Sequence, residues 1–189
     1  MNTLIIVAHP SKYGFSHKIA HSYKEAKKKL GDHVKILELY DYEKEIPYLN
    51  FSDVRKDFTN NEFIKKCQED ITWSNELVFI FPMWNASEPA ILKNWYDITF
   101  TARFGFRYTG KLLPEGLLKD KTSKVIVTCD GPSWIYTLIG NPLKTIYKYI
   151  KLKQCGIKLK KFIYFDKMRL KSDEEKEKLI KKVELIAIK

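Results

Sequence analysis

The sequence has few cysteines and no long apolar run, and each shortage excludes a class of protein. Three cysteines among 189 residues, with no C-x-x-C pair, exclude a disulfide framework and are typical of reduced thiols in a cytoplasmic protein. No apolar run approaches the roughly 20 residues of a membrane span. The sequence contains neither G-x-x-x-x-G-K-[ST] nor G-x-G-x-x-G, so NTPase and Rossmann dinucleotide sites lack their motifs. The four histidines have no metal-site spacing.

The length and the first residues predict a single domain that begins with a strand. A chain of 189 residues is long enough to bury a substantial core of its own, so we expect one domain over residues 1–189. Residues 1–10 lack the basic start and the cleavage site of a signal peptide, which again favours the cytoplasm.

The net charge is +11, and much of it comes from short lysine runs at 27–29, 160–161 and 181–182. These runs fall on the polar sides of predicted helices and accompany no recognisable nucleic-acid-binding module. We therefore interpret them as solvated surface and expect no nucleic-acid partner. The positive charge should still help to attract anionic ligands such as nucleotides.

The chain is organised around residues 77–97. Leu77 to Phe81 has no polar residue, as expected of a strand that is buried on both faces of a parallel sheet. Pro82 cannot donate a ladder hydrogen bond and should end the strand, whereas Pro89 suits the first turn of a helix. Apolar residues then recur at helical spacing, namely Ile91, Leu92, Trp95, Tyr96 and Ile98.

Similar patterns predict the remaining elements. Further apolar strands are expected over 4–8, 34–39, 124–129 and 162–165. Helices are expected over 16–30 with Ser16 as N-cap, over 61–72, over 142–153, and over 172–188 behind a Ser172/Glu175 capping box. A small hairpin or arm is expected near Phe104–Tyr108, and an irregular covering loop over 40–60. Together they predict an α/β three-layer sandwich with a five-stranded parallel sheet in the order 2-1-3-4-5.

In that order the switch point lies between strands one and three, where the loops 9–17, 82–88 and 128–136 should converge. The first loop has hydroxyls and a helix N-terminus suited to an anion. The second and third loops supply aromatic planes and polar edges. A flat ring on a phosphorylated tail, such as flavin mononucleotide (FMN), matches this combination.

Several motifs give the chain a family resemblance. They are His9-Pro10 with Phe15-Ser16, Pro82-Met83-Trp84-Asn85, the P-A-x-L-K-x-W-x-D stretch from Pro89 to Asp97, Gly105-Phe106-Arg107-Tyr108, and Asp130-Gly131-Pro132 with Trp134 and Tyr136. With these motifs the chain resembles the NAD(P)H-dependent quinone reductases and azoreductases of the flavodoxin-like fold. The resemblance implies a homodimer with flavin sites at its interface. It also implies ping-pong transfer of a hydride from NADH or NADPH, through the flavin, to a quinone, azo or nitro compound.

The resemblance also implies a set of site residues. It assigns the phosphate and ribityl end to His9, Ser11, Phe15, Ser16 and His17, the isoalloxazine edge to Pro82, Met83, Trp84 and Asn85, and the pyrimidine end to Thr128, Cys129, Asp130 and Gly131. Tyr136 corresponds to a substrate-pocket tyrosine that would act in catalysis. FMN is favoured over FAD because no C-terminal extension is evident that would hold an adenosine.

Two positions depart from the family pattern. Asp130 replaces the first of two glycines in the third loop; it could accept from the flavin N3–H, but near N1 it would oppose the charge of the reduced ring. Pro142 stands where the tyrosine's histidine partner is expected, so we expect water to deliver the proton. Two other functions fit the same motifs, namely a flavodoxin-like electron carrier and an ancillary subunit of a membrane transport system.

Overall fold

The computed structural model describes residues 1–49 and 61–188, and its main feature is a five-stranded parallel sheet. The strands in chain order are β1 (Asn2–Val7), β2 (His33–Glu38), β3 (Glu76–Pro82), β4 (Phe106–Arg107), β5 (Glu115–Gly116), β6 (Thr122–Thr128) and β7 (Lys158–Phe165). The large sheet has the order β2-β1-β3-β6-β7, and β4 pairs with β5 in the predicted hairpin. Counting only the strands of the large sheet, this is the predicted order 2-1-3-4-5.

Helices cover both faces of the sheet. They are α1 (Phe15–Lys29), α2 (Glu62–Trp73), α3 (Ala90–Thr99), α4 (Ser133–Leu138), α5 (Pro142–Thr145), a π-helix (Ile146–Leu152) and α6 (Asp173–Ile188). Short 3₁₀ turns occupy Leu39–Tyr42 and Met168–Leu170. Among the residues described, no helix is both long and apolar enough to cross a bilayer.

Alternation along the strands divides the core into two layers. In β3, Val78 and Ile80 pack with α1 and α6, whereas Leu77 and Phe79 pack with α2, α3 and the π-helix. Because successive strand side chains point to opposite faces, one apolar run supplies both layers. All seven residues of β3 are buried, as the sequence predicts for the central strand.

Two expectations about local structure are wrong. The N-cap of α1 is Gly14 rather than Ser16, because a tight turn in which Gly14 N–H donates to the Ser11 carbonyl starts the helix earlier. Leu30 lies beyond the end of α1 and is 52% exposed, so it is not part of the helix's buried face. The helix expected over 142–153 is present, but it is a short α-helical turn that continues as a π-helix, a form that occurs mostly as single turns and often at functional sites.

Other local expectations are confirmed. Ser172 and Glu175 form the expected capping box of α6 with reciprocal hydrogen bonds of 2.8 and 3.2 Å. The helix expected over 61–72 is α2, and the structure adds that Asn61 caps it, its side chain accepting from Ile64 N–H. The three cysteines are unpaired and buried. The part of the expected 40–60 loop that spans 50–60 lies outside the described residues.

Candidate functional site

Three loops leave the same edge of the sheet from three adjacent strands. The carboxyl end of β1 is tied to β3 by a 3.1 Å hydrogen bond from Ala8 N–H to the Ile80 carbonyl. The end of β3 is tied to β6 by a 2.8 Å bond from Met83 N–H to the Thr128 carbonyl. Since β2 lies on the other side of β1, this is the switch point at which ligands bind in doubly wound folds. The loops after β1, β3 and β6 are therefore brought together as predicted.

The first loop packs closely against its own histidine. A Cβ on Gly14 would lie 2.3 Å from the His9 ring, so only glycine fits at this position. The His9 Nδ1 accepts from Ser11 N–H at 3.0 Å. Burial lowers the pKa of His9, and the nearby His17 lowers it further against the opposing effect of the Ser11 backbone. His9 is therefore neutral at pH 7, and its Nδ1 contacts both the amide nitrogen and the carbonyl oxygen of Ser11 at 3.0 Å.

Ser16 carries a buried hydroxyl that has no hydrogen-bond partner among the described residues. It lies in the first turn of the 15-residue helix α1, where backbone N–H groups have no intrahelical acceptor. Buried hydroxyls are normally satisfied, so an orphaned one beside free N–H groups indicates a place for an acceptor. Phe15 beside it is half-buried, and Ser11 is exposed at the front of the loop.

His17 is held by acceptors of the protein itself. Its Nδ1 lies 3.4 Å from Glu38 Oε1, and its Nε2 lies 3.3 Å from the His9 carbonyl oxygen. Lys12 also pairs with Glu38, at 3.1 Å, and with Asp41. These contacts fasten the first loop to the end of β2, so the ring of His17 is oriented by the fold.

The second loop turns within two residues. Trp84 and Ser87 exchange backbone hydrogen bonds of 3.0 and 2.9 Å, and between them Asn85 and Ala86 have φ values of 49° and 61°. Two positive φ values between paired residues define a type I′ turn. Pro82 and Met83 are buried at its base, whereas Trp84 is 45% exposed and Asn85 is fully at the surface. The turn therefore presents an indole and an amide at the edge of the sheet.

A buried ion pair lies directly behind this turn. Glu88 pairs with Lys151 of the π-helix, and both side chains are less than a tenth exposed. The Lys151 Nζ lies 4.6 and 4.8 Å from the ring centroids of Tyr96 and Tyr147. Burial lowers the pKa of Lys151, while Glu88 raises it. No sequence pattern pointed to this pair, because its members are 63 positions apart.

The third loop begins in the core and then emerges. Thr128 and Cys129 are buried, and Gly131 is half-buried. Burial, with the carboxylates of Asp166 and Asp130 acting in the same direction, raises the pKa of the Cys129 thiol to about 12. The thiol therefore stays protonated and behaves as a small apolar group.

Asp130, the residue that departs from the family pattern, is bound by Arg169. Its Oδ1 accepts from Arg169 N–H at 3.0 Å, and its Oδ2 accepts from Arg169 Nε at 2.8 Å. Nearby, Asp166 accepts from Ser133 N–H at 2.7 Å at the start of α4. Sequence reasoning missed Asp166 and Arg169, although Asp166 directly follows a predicted strand, as the other loop residues do.

Tyr136 lies on the short helix α4 rather than in the expected loop. Its ring stacks on Tyr164 at 5.6 Å, and its hydroxyl would be 2.5 Å from a Cβ on Gly131. Gly131 thus allows the hydroxyl to approach the backbone of the third loop. Burial raises the pKa of Tyr136, with Cys129 and Asp130 adding to the effect, so the phenol is neutral at physiological pH.

With this geometry in hand, the chain can be compared with known proteins. A family model described as flavodoxin-like fold matches residues 1–186. The chain belongs to this flavodoxin-like family. A solved protein from Streptococcus mutans UA159 superposes on it with a TM-score of 0.88 and 31% identity, covering 99% of this flavodoxin-like chain and 98% of the other.

The sequences of curated relatives match this chain over a smaller share of its length than the solved structure does. FMN-dependent NADH:quinone oxidoreductase 2 of Clostridium perfringens is 30% identical over 144 residues, which are 72% of this chain and 72% of the relative. A ribosyldihydronicotinamide dehydrogenase-like protein of Penicillium crustosum is 29% identical over 167 residues, covering 74% of this chain. The chain spans only 61% of the length of that fungal relative.

Proposed function

We propose that this flavodoxin-like protein is a flavin-dependent NAD(P)H oxidoreductase that reduces quinones, azo compounds or nitro compounds by two electrons in a ping-pong cycle. The observation that carries the proposal is the meeting of three loops at the switch point, one of which holds an orphaned hydroxyl at a helix N-terminus. The relatives named for FMN-dependent NADH:quinone reduction support the same chemistry. The flavin-binding unit is a single domain over residues 1–189, acting in the cytoplasm.

The first loop suits the phosphate of FMN. The Ser16 hydroxyl and the N–H groups of the first turn of α1 supply donors, and the dipole of a long helix favours an anion there. The neutral ring of His9 lines this loop, and Ser11 and Phe15 line the ribityl side. His17 fixes the shape of the loop through Glu38 and the His9 carbonyl.

The other two loops suit the ring. FMN, when bound, supplies the hydride chemistry, so no protein nucleophile is required. Trp84 and Asn85 offer a plane and a donor–acceptor amide from a rigid turn above the buried Pro82 and Met83. Thr128, Cys129, Asp130 and Gly131 form the backbone at the pyrimidine end, and the neutral Tyr136 hydroxyl donates a hydrogen bond to the electron acceptor.

The test is an absorbance scan of the purified protein, with mass identification of the released cofactor and anaerobic titration by NADH and NADPH. We expect a yellow protein that holds FMN rather than FAD, is bleached by a nicotinamide and is recoloured by a quinone. A colourless protein that takes up neither flavin overturns the proposal. Reduction by a protein partner but not by NAD(P)H identifies an electron carrier instead.

We further propose that the protein is a homodimer. Apolar side chains stand exposed from α4 through the π-helix: Trp134, Leu138 and Ile139 are 60%, 75% and 60% exposed, and Ile150 is 59% exposed. Trp134 and Leu138 are four residues apart and so share a helix face. A patch of this kind is typical of a surface that is covered by another chain.

Sedimentation velocity tests the dimer. We expect Leu138→Asp with Ile139→Asp to convert the protein to monomers, since two carboxylates would be buried without partners in the interface. Leu185→Asp is the matched control, because Leu185 is 59% exposed on α6 in another part of the molecule. A monomeric wild type, or a double variant that sediments as wild type does, contradicts this arrangement.

A further inference from the structure

Both carboxylate oxygens of Asp130 are engaged by one residue, and that residue comes from another part of the chain. Arg169 donates its backbone N–H to Oδ1 and its Nε–H to Oδ2. Arg169 belongs to the 3₁₀ turn Met168–Leu170 that follows β7, 39 positions away. The negative charge of the third loop therefore has a dedicated counter-charge.

The same turn is fastened to the third loop by backbone bonds. Cys129 N–H donates to the Phe165 carbonyl at 2.9 Å, and Met168 N–H donates to the Cys129 carbonyl at 3.2 Å. These bonds form whatever side chain stands at position 169. They bring Arg169 beside Asp130, so loss of the guanidinium removes the counter-charge and leaves this framework in place.

The exposure of both side chains argues against a role for the Arg169–Asp130 ion pair in the overall stability of the protein. The side chains of Arg169 and Asp130 are 83% and 46% exposed, and exposed ion pairs contribute little to folding. The consequence of the pair should therefore be local, and it should concern the charge and the order of the third loop.

We propose that Arg169 is a positioning residue that holds Asp130 and cancels its charge, which makes a carboxylate tolerable at the end of the site proposed for the flavin ring. This inference rests on the proposed function. A flavin ring gains negative charge when it is reduced, and an uncompensated carboxylate nearby disfavours that state. Arg169 therefore supports binding of reduced FMN more than binding of oxidised FMN.

The first test compares the affinities of the two flavin states. In Arg169→Gln we expect the ratio of the Kd of reduced FMN to that of oxidised FMN to rise at least about threefold. Asp130→Asn combined with Arg169→Gln should return the ratio to within about twofold of wild type, because both charges are then absent. Arg169→Lys should stay near wild type because it keeps the positive charge.

The control for net charge is Lys28→Gln. Lys28 pairs with exposed Glu25 near the end of α1, at the opposite edge of the sheet. Lys28→Gln removes one positive charge, as Arg169→Gln does, and it should leave the ratio of the two Kd values unchanged. The effect of Arg169→Gln should also shrink as salt is added, since the groups are exposed.

The second test needs no flavin. Amide hydrogen exchange of residues 129–133 in the flavin-free protein should accelerate up to about fivefold in Arg169→Gln but not in Lys28→Gln. Equal exchange and an unchanged Kd ratio in a wild type that binds FMN overturn this inference alone. A wild type that binds no flavin overturns the proposed function, and the exchange result then decides whether Arg169 orders the loop.

Discussion

The amino edge of the sheet holds a closed network of buried polar side chains, whereas the carboxyl edge keeps several loop side chains at the surface. At the amino edge, Glu76 accepts from Tyr23 at 2.8 Å and pairs with Lys124 at 3.0 Å and with Lys27 at 3.4 Å. We call these four residues the amino-edge network. All its side chains are at most 5% exposed, and Lys124 donates further to Tyr23 and to the Ile186 carbonyl at 3.0 and 2.9 Å.

At the carboxyl edge, one hydroxyl lacks a partner among the described residues, one turn has unfavourable backbone angles, and loop side chains face solvent. Ser16 has an orphaned hydroxyl, and Asn85 and Ala86 adopt left-handed backbone conformations that cost most L-residues free energy. Trp84 and Asn85 face solvent. Orphaned buried hydroxyls occur at both edges, Ser123 lying near the amino one, so the contrast rests on the exposed loop side chains of the carboxyl edge, which stay available for a ligand.

The largest expected effect comes from breaking the amino-edge network. Glu76→Gln leaves Lys124 buried without a counter-charge, while Lys27 keeps Asp32 at 3.2 Å. Loss of one partner of a buried ion pair costs about 3–5 kcal/mol, so we expect the free energy of unfolding in urea to fall by about 3 kcal/mol. Glu25→Gln, at an exposed pair, is the control and should change it by less than about 0.5 kcal/mol. A loss below about 1 kcal/mol in Glu76→Gln would refute the contrast.

Two buried serines, one near each edge of the sheet, allow the edges to be compared directly. Ser16 and Ser123 are both buried, and neither hydroxyl has a partner among the described residues, but Ser123 lies near the amino edge. Replacing either by alanine should leave the stability of the flavin-free protein within about 1 kcal/mol of wild type or raise it. Only Ser16→Ala should weaken FMN binding, by about tenfold, measured by quenching of flavin fluorescence. Equal affinities of the two variants for FMN would show that Ser16 does not bind the phosphate.

The third prediction concerns pH. The pKa of His9 is lowered from 6.5 in the folded protein, mainly by burial, so the unfolded chain binds the proton more readily. The resulting stabilisation is present above about pH 6.5 and is lost as the pH falls through the folded-state pKa. The stability curve of His9→Asn should therefore fall less steeply with acid than that of wild type. Exposed His21→Asn serves as control, and parallel curves for wild type and His9→Asn would contradict the prediction.

The smallest effect is expected at the turn of the second loop. Ala86→Gly removes the left-handed strain but adds freedom to the unfolded chain, and the two terms are each about 1 kcal/mol or less. Thermal unfolding should therefore differ from wild type by less than about 0.5 kcal/mol. Ala187→Gly, buried in α6, should cost about 1 kcal/mol or more. A marked loss in Ala86→Gly would show that the methyl group itself packs in the site.

Much of the fold follows from the sequence because its strands are buried on both faces. An apolar run such as Leu77–Phe81 can only be a central strand, and Pro82 and Pro89 mark its end and the next helix within a residue. Trp95 is buried as the helical spacing predicts. The convergence of the three loops follows once the strand order is known, so most candidate site residues could be named from sequence.

Tertiary structure decided the rest, for a common reason. The partners of Asp130 and Glu88 lie 39 and 63 positions away, and no local pattern encodes such pairs. Ser16 could be assigned as an N-cap from its type, but the turn closed by Gly14 N–H and the Ser11 carbonyl starts the helix earlier. The sequence determined which segments are buried, because the spacing of apolar residues along the chain decides which faces avoid water. Only the folded chain determined which polar groups meet, because that depends on contacts between distant residues.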